Sequence, residues 1–193
     1  MAEAPSTNTN LILSGKVAIV TGGASGTSET TVRVFANEGT HVVVIADIQD
    51  ELGEQVAASI GKQMCIYVYC DVTNGDQVDI MFSNAGIFSP TDQTVMELDM
   101  SQLDHLFAIN VRGMALCVKH AACAMVEGHM RGSIVYMGSI HGREGGTRST
   151  DYTMSKHAVL GLLCAANVQP TTHGIRVNCV SPNGLATPLI YNL

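Results

Sequence analysis

An α/β fold is predicted, a parallel sheet with helices on both faces, and three observations predict it. Continuous apolar runs of strand length alternate along the chain with stretches of helical length. A glycine-rich turn follows the first apolar run at once. An acidic residue closes the second. With 193 residues and 46% hydrophobic content, the chain can bury one good core, so a single domain over 1–193 is expected.

Taken in order, the elements are as follows. The first ten residues, MAEAPSTNTN, are polar, and 1–13 is expected to be a flexible N-terminus. A buried strand at 16–21 leads into the glycines, and a helix opens near Ser28, spans 28–38 and stops at Gly39. A second strand, 41–46, ends in Asp47, and a helix follows at 51–60. Strands are expected at 64–70, 79–83, 132–137 and 175–180, with long helices at 101–127 and 153–168. The first long helix carries Leu103, Leu106, Phe107, Ile109, Met114, Leu116 and Val118 on more than one face, so it must be buried on more than one side.

The stretch VAIVTGGASGTSE, Val17 to Glu29, joins strand, glycine turn and helix N-terminus. Backbone N–H groups and the helix dipole make such a junction an anion site suited to a pyrophosphate. Asp47 lies 21 residues beyond Gly26, where an acid suits the ribose hydroxyls of NAD and repels the extra phosphate of NADP. No Arg or Lys directly follows the glycines to receive that phosphate, so NAD is the expected cofactor.

Towards the other end, SIHGREGGTRSTDYTMSK contains Ser139, Tyr152 and Lys156. Tyr and Lys four apart share one face of a helix, so phenol and ammonium can lie side by side. A free phenol ionises near about pH 10, and a neighbouring cation is expected to lower that value into the range of a useful base. With the Ser139 hydroxyl added, the group can exchange a proton with an alcohol or carbonyl.

Together these residues resemble the short-chain dehydrogenase/reductase family along nearly the whole chain. Ser83-Asn84-Ala85-Gly86 resembles the family's Asn-Asn-Ala-Gly stretch, Asp71-Val72 its adenine-contacting pair, and Asn110 the helix Asn that completes its catalytic tetrad. Pro182-Asn183-Gly184 followed by Thr187 resembles the segment that closes over nicotinamide. Within the family, LSGKVAIVTGGASG, DIMFSNAGIF, NVRGMALCVKHAA and GIRVNCVSPNGLATP look like plant dehydrogenases of terpenoid and lignan metabolism, nearest to the nepetalactol-related group of iridoid biosynthesis. The resemblance implies a Rossmann-type doubly wound sheet. It implies cofactor contacts from Gly22, Ser25, Gly26, Thr27, Asp47, Asp71, Val72, Asn84, Ala85, Gly86, Tyr152, Lys156, Pro182, Gly184 and Thr187. It also implies a homodimer or homotetramer formed through the helices near 101–127 and 153–168.

For an intact relative, the implied reaction is NAD-dependent oxidation of an iridoid-type alcohol or lactol. Tyr152 takes the hydroxyl proton with help from Lys156, Ser139 holds the alcohol, and Asn110 anchors a relay water. Two other readings stay open. One is a non-redox cyclase that guides a reactive iridoid enol on the same scaffold, and the other is an inactive, truncated remnant. His141 and Arg143 follow Ser139 closely, within reach of a substrate, and are read in preference as surface loop residues.

Departures from the family pattern carry their own expectations. Parallel strands need a crossover of about a dozen residues or more. Only DVTNGDQV lies between Cys70 and Asp79, so the family's crossover helix is expected to be missing. Either apolar strand surface is then left uncovered or the local pairing changes. The chain stops at Leu193, and the family's last strand is expected to be missing too, leaving an open sheet edge. The third glycine of the family's loop is replaced by Ser28, read as a helix N-cap with weakened NAD binding, and Thr27 replaces an Ile beneath the nicotinamide.

Composition excludes more than it selects. Net charge is −7 with no basic run, which argues against nucleic acid. No signal peptide is read at the N-terminus, and no apolar run is judged long enough to span a bilayer. Six cysteines without C-x-x-C spacing read as reduced packing residues of a cytoplasmic protein, and seven histidines show no metal-ligand spacing. No metal, nucleic-acid or membrane partner is expected, only a small-molecule substrate.

Overall fold

The computed structural model describes residues 11–70 and 80–191. Among the described residues six strands form one sheet: β1 (Val17–Thr21), β2 (Val42–Asp47), β3 (Cys65–Tyr69), β4 (Ile80–Ser83), β5 (Ser133–Met137) and β6 (Arg176–Val180). Their order is β3-β2-β1-β4-β5-β6, and every neighbouring pair is parallel. The chain therefore winds outward from β1 in one direction and from β4 in the other. The crevice beyond the carboxyl ends of β1 and β4 is where such sheets hold ligands.

The helices are α1 (Gly26–Asn37), α2 (Asp50–Ile60), α3 (Met100–Phe107), α4 (Met114–Glu127), α5 (Thr150–Ala166) and a short α6 (Pro188–Tyr191). Val32 and Ala36 of α1, with Val56 and Ala57 of α2, cover Val20, Val43, Ile45, Cys65 and Phe82 on one face of the sheet. On the other face α4 (Met114, Cys117, Val118, Ala121, Met125) and α5 (Val159, Ala166) cover Met81, Ile134 and Val177. Local chemistry sets the ends. Gly39 and Gly61 follow α1 and α2 with positive φ, and Asp99 caps α3 by accepting from the N–H groups of Ser101 (2.8 Å) and Gln102 (3.2 Å).

The expected single helix at 101–127 is continuous but not uniform, because a π-helical segment, Ala108–Gly113, joins α3 to α4. This segment carries Asn110 with its side chain wholly buried. The run Met100–Glu127 is long and apolar enough, by length and composition, to cross a membrane, contrary to the sequence expectation. Its buried side chains, Leu103, Leu106, Met114 and Met125 among them, pack in the protein, as those of a core helix do.

Two other expectations need correcting. Residues 11–13, placed in the flexible N-terminus, are tied down: Leu13 N donates to Glu38 O at 3.1 Å, and Leu11 lies against Gly39. Cys65 and Cys117 are buried, but Cys123 and Cys164 are exposed. The crossover helix expected to be missing falls at residues 71–79, outside the described residues. On either side of it the pairing is unchanged, with β4 in regular parallel register to β1 from Ala18↔Ile80 to Thr21↔Ser83.

The cover, however, is thin there. Ile66 pairs with Val44 and Val68 with Ala46, on the sheet face opposite α1 and α2. Ile66 and Val68 are each 46% exposed, and Val44 and Ile19 beside them are only half-buried. Replacing Ile66 and Val68 together by Thr keeps β-propensity and removes apolar surface. Self-association measured by light scattering should fall, while the urea-derived stability should stay within about 0.5 kcal/mol of the parent. A loss of several kcal/mol would mean that the face is covered in solution.

Candidate active site

Residues at the carboxyl ends of the strands converge on the switch between β1 and β4. Gly22 has φ +67°, and a Cβ there would sit 3.2 Å from Ala85 Cα, so only glycine lets the turn lie against the Asn84-Ala85 backbone. Buried Thr21 joins the two strand ends, since its Oγ1 accepts from Asn84 N (3.1 Å) and Ala85 N (3.3 Å). Gly26, φ +60°, opens α1 beneath Thr187: a Cβ on Gly26 would meet Thr187 Cβ at 3.7 Å. The segment beginning at Pro182, whose carbonyl accepts from Ile140 N at 3.0 Å, thus runs past Gly184 and over the start of α1.

Ser25, not Ser28, is the N-cap of α1, and its side chain makes no capping bond. The orphan N–H groups of the first turn are therefore left to solvent or a ligand. Ser28 is the third residue of the helix, fully buried, and its hydroxyl donates to Thr21 O at 3.1 Å. The N-cap reading of Ser28 is overturned because the helix starts two residues earlier. Where the third glycine would allow close packing, a small hydroxyl bonds the strand carbonyl instead. Thr27, beside it, is half-buried.

Asp47 ends β2 with its carboxylate buried. One oxygen accepts from Ala24 N in the glycine turn at 3.0 Å and the other from Gln49 N at 3.1 Å. Arg33, the nearest cation along α1, is engaged with Glu29 at 2.9 Å. A positive-φ glycine cradle, an uncapped helix start and an acid at the ribose position together fit a dinucleotide, with the acid favouring one that lacks a 2′-phosphate. Asp71 and Val72 lie outside the described residues.

Ser139 follows β5 and caps a 3₁₀ turn, Ile140–Gly142, its Oγ accepting from His141 N at 3.2 Å. One turn apart on α5, Tyr152 and Lys156 are both buried, Tyr152 being 6% exposed. Lys156 Nζ lies 5.3 Å from the Tyr152 ring centroid and donates to Met137 O at 3.1 Å. Burial pushes the Tyr152 phenol above its usual value, and a hydrogen bond with Ser139 works against that rise. Burial also pulls Lys156 down to about 8. The sequence expectation that Lys156 lowers the phenol is thus not what dominates here. The ammonium sits over the ring and bonds a carbonyl, and the lowering partner is Ser139.

Asn110 turns its amide to a backbone rather than to open space. Its Oδ1 accepts from Ile87 N (2.8 Å) and its Nδ2 donates to Ile87 O (2.9 Å) and to Ser155 Oγ (3.4 Å). The side chain therefore anchors the Asn84-Ala85-Gly86 turn, with Gly86 leaving it room. Any share in a proton relay would fall to its main chain.

Of two neighbours of Tyr152, one was not singled out by sequence and the other was read differently. Phe88 stacks on the phenol ring with centroids 3.7 Å apart, and His141 meets it edge-on at 5.6 Å. Phe88 was findable only as an aromatic two residues past Gly86. His141, read as a loop residue, is instead half-buried against the phenol. Asp151 is buried as well and binds Tyr152 N and the Ser89 hydroxyl, tying the segment after Gly86 to α5.

Comparison with known proteins agrees with this geometry. The short chain dehydrogenase family model matches residues 16–193. (+)-cis,trans-Nepetalactol synthase NEPS1 of Nepeta racemosa is 51% identical over 191 residues, covering 92% of this chain and 70% of its own. (−)-Isopiperitenol/(−)-carveol dehydrogenase, mitochondrial, of Mentha piperita is 51% identical over 191 residues, with 92% and 72% covered. A solved short-chain type dehydrogenase/reductase from Mycobacterium marinum superposes with a TM-score of 0.86 at 30% identity, over 94% of this chain and 77% of its own.

Lys156 makes stability depend on pH in a defined window. Below about 8 the amine is charged in both folded and unfolded chains, and its burial penalty is present in full. Between about 8 and the unfolded value near 10.5 the folded chain sheds the proton first, so the penalty is relieved as pH rises. Relative to Lys156→Met, the parent should therefore gain on the order of 3 kcal/mol across that window in urea unfolding. A flat difference would show that Lys156 keeps an ordinary value in the fold.

Proposed function

This chain belongs to the short-chain dehydrogenase/reductase family, and from that premise we propose that it oxidises a terpenoid alcohol or lactol of the iridoid type with NAD. The observation that carries this reading is the meeting of Ser139, Tyr152 and Lys156 beside a glycine turn braced by the Asp47 carboxylate. The substrate class is supported by two relatives at 51% identity, one named for nepetalactol and one for isopiperitenol and carveol.

Gly22, Ser25, Gly26 and the first turn of α1 would hold the pyrophosphate, and Asp47 the ribose hydroxyls. The chemistry the dinucleotide supplies when bound is acceptance of a hydride from the carbinol carbon. Ser139 orients the substrate hydroxyl, and Tyr152 takes its proton. For that the phenol must ionise against its burial. One group of this chain opposes the burial, the Ser139 hydroxyl, which hydrogen-bonds the phenol. Copies of the chain pair through α3–α4 and α5, a reading supported by exposed Met154 (45%), Cys123 and Cys164 on those helices.

A second reading is favoured by the synthase name of the Nepeta relative. In it the same pocket guides ring closure of a reactive iridoid enol, with NAD as scaffold and no net redox change. Product formed without any change in NADH absorbance would select it.

Calorimetric titration with NAD and NADP is the test. Saturable NAD binding is expected, with NADP at least about tenfold weaker, and Asp47→Ala should narrow that gap. With carveol as probe, Tyr152→Phe should cut oxidation by about a hundredfold or more. A folded sample that binds neither dinucleotide would overturn the proposal.

A further inference from the structure

Building on the dehydrogenase reading, we propose that His141 is a positioning residue for Ser139. It donates from Nδ1–H to Ser139 Oγ and so turns the serine proton towards the Tyr152 phenol and the substrate oxygen.

The argument is one of counting. A serine hydroxyl has one proton and two lone pairs. One lone pair of Ser139 takes the backbone N–H of His141, at 3.2 Å. The ring Nδ1 of the same residue stands 3.5 Å from the same oxygen, within reach of the second. With both lone pairs filled from residue 141, the hydroxyl has only its proton left to offer. Ser139 also hydrogen-bonds the Tyr152 phenol, and that bond stabilises the phenol in its ionised form. If Nδ1 were bare instead, it would compete for the serine proton and draw it away from the reacting oxygen.

The ring has little freedom to do otherwise. It meets Tyr152 edge-on, with centroids 5.6 Å apart and planes at 74°. Gly146 lies on its far side, where a Cβ would approach His141 Nε2 to 2.8 Å, so the glycine leaves the imidazole its place. The titratable group facing the ring from α5 is Tyr152, with Lys156 one turn further on. A neutral imidazole carries its proton on the nitrogen whose hydrogen bond favours it, so Ser139 selects the Nδ1–H tautomer. Phe88, stacked on the phenol ring, contributes packing but has no proton to direct.

Nitrogen NMR of the ¹⁵N-histidine-labelled protein at pH 8 tests the assignment without any substrate. His141→Asn identifies the resonances of His141 among the seven histidines. The expected result is an Nδ1–H tautomer for His141 that moves towards Nε2–H in Ser139→Ala, the other histidines staying put. An Nε2–H tautomer in the parent, or no response to Ser139→Ala, overturns the proposal. The kinetic arm uses carveol. His141→Phe keeps the ring packing and should lower kcat about tenfold, the scale of one hydrogen bond, with KM within about twofold. His141→Asn, which places a donor at the Nδ1 position, should recover most of the loss. Equal kcat in the parent and His141→Phe also overturns it. A parent that does not oxidise carveol counts against the substrate reading alone, and the tautomer still decides the role of His141.

Discussion

The short turn from Asn84 to Phe88 is the joint on which the site depends, and two buried polar side chains hold it. At its start, Thr21 Oγ1 takes the N–H groups of Asn84 and Ala85, binding the end of β4 to the end of β1. At its end, the Asn110 amide pairs with both backbone groups of Ile87. Buried N–H and C=O groups must be satisfied, and here neither helix nor sheet is available to do it. The π-helical segment follows from the same constraint. It places Asn110 in the interior of a helix that would otherwise present apolar side chains there, and the widened turn is where that substitution is accommodated. From this joint the chain carries Phe88 onto the Tyr152 ring and Ser89 onto Asp151 at the start of α5. The cofactor half of the site and its catalytic half are thereby braced to each other through a few residues of backbone.

All six strands and the four principal helices were legible in the sequence, because each is a continuous apolar run or a periodic stretch closed by glycine or an N-cap. Boundaries drifted by one to three residues, most at the start of α5, and by two at α1, where reading Ser28 as the cap placed the start too late. The cap was hard to see because Ser25 does not use its side chain. The residues of the site were legible by type and spacing: Gly22, Gly26, Asp47, Ser139, Tyr152 and Lys156 all stand at the carboxyl end of the sheet. Their mutual geometry was not. Spacing puts Lys156 beside Tyr152 but does not say that its ammonium bonds Met137 O, nor that Asn110 is consumed by Ile87. Phe88 escaped because a residue two places from a recognised motif has no periodic signature, and His141 was named only for its closeness to Ser139, not for the phenol. Only the folded chain brings the aromatic rings together.

Burial acts on Tyr152 and Lys156 in opposite chemical senses and to the same end, since it favours the neutral form of each. A site built only for stability would leave the pair so, with a protonated phenol and an amine ready to lose its charge. A site built to move protons has to supply hydrogen bonds that favour the charged forms. Ser139 does so for the phenol, and the Met137 carbonyl does so for the ammonium. Each comes from the segment at the end of β5, so one strand end tunes both groups. This is also why the thin cover over Ile66 and Val68 need not reach the chemistry. Those residues lie on β3, at the edge of the sheet opposite β5 and β6, and β2, β1 and β4 stand between them and Ser139. What they put at risk is association of the sheet face, whereas the proton-handling groups rest on β5 and α5, which keep a full core beneath them.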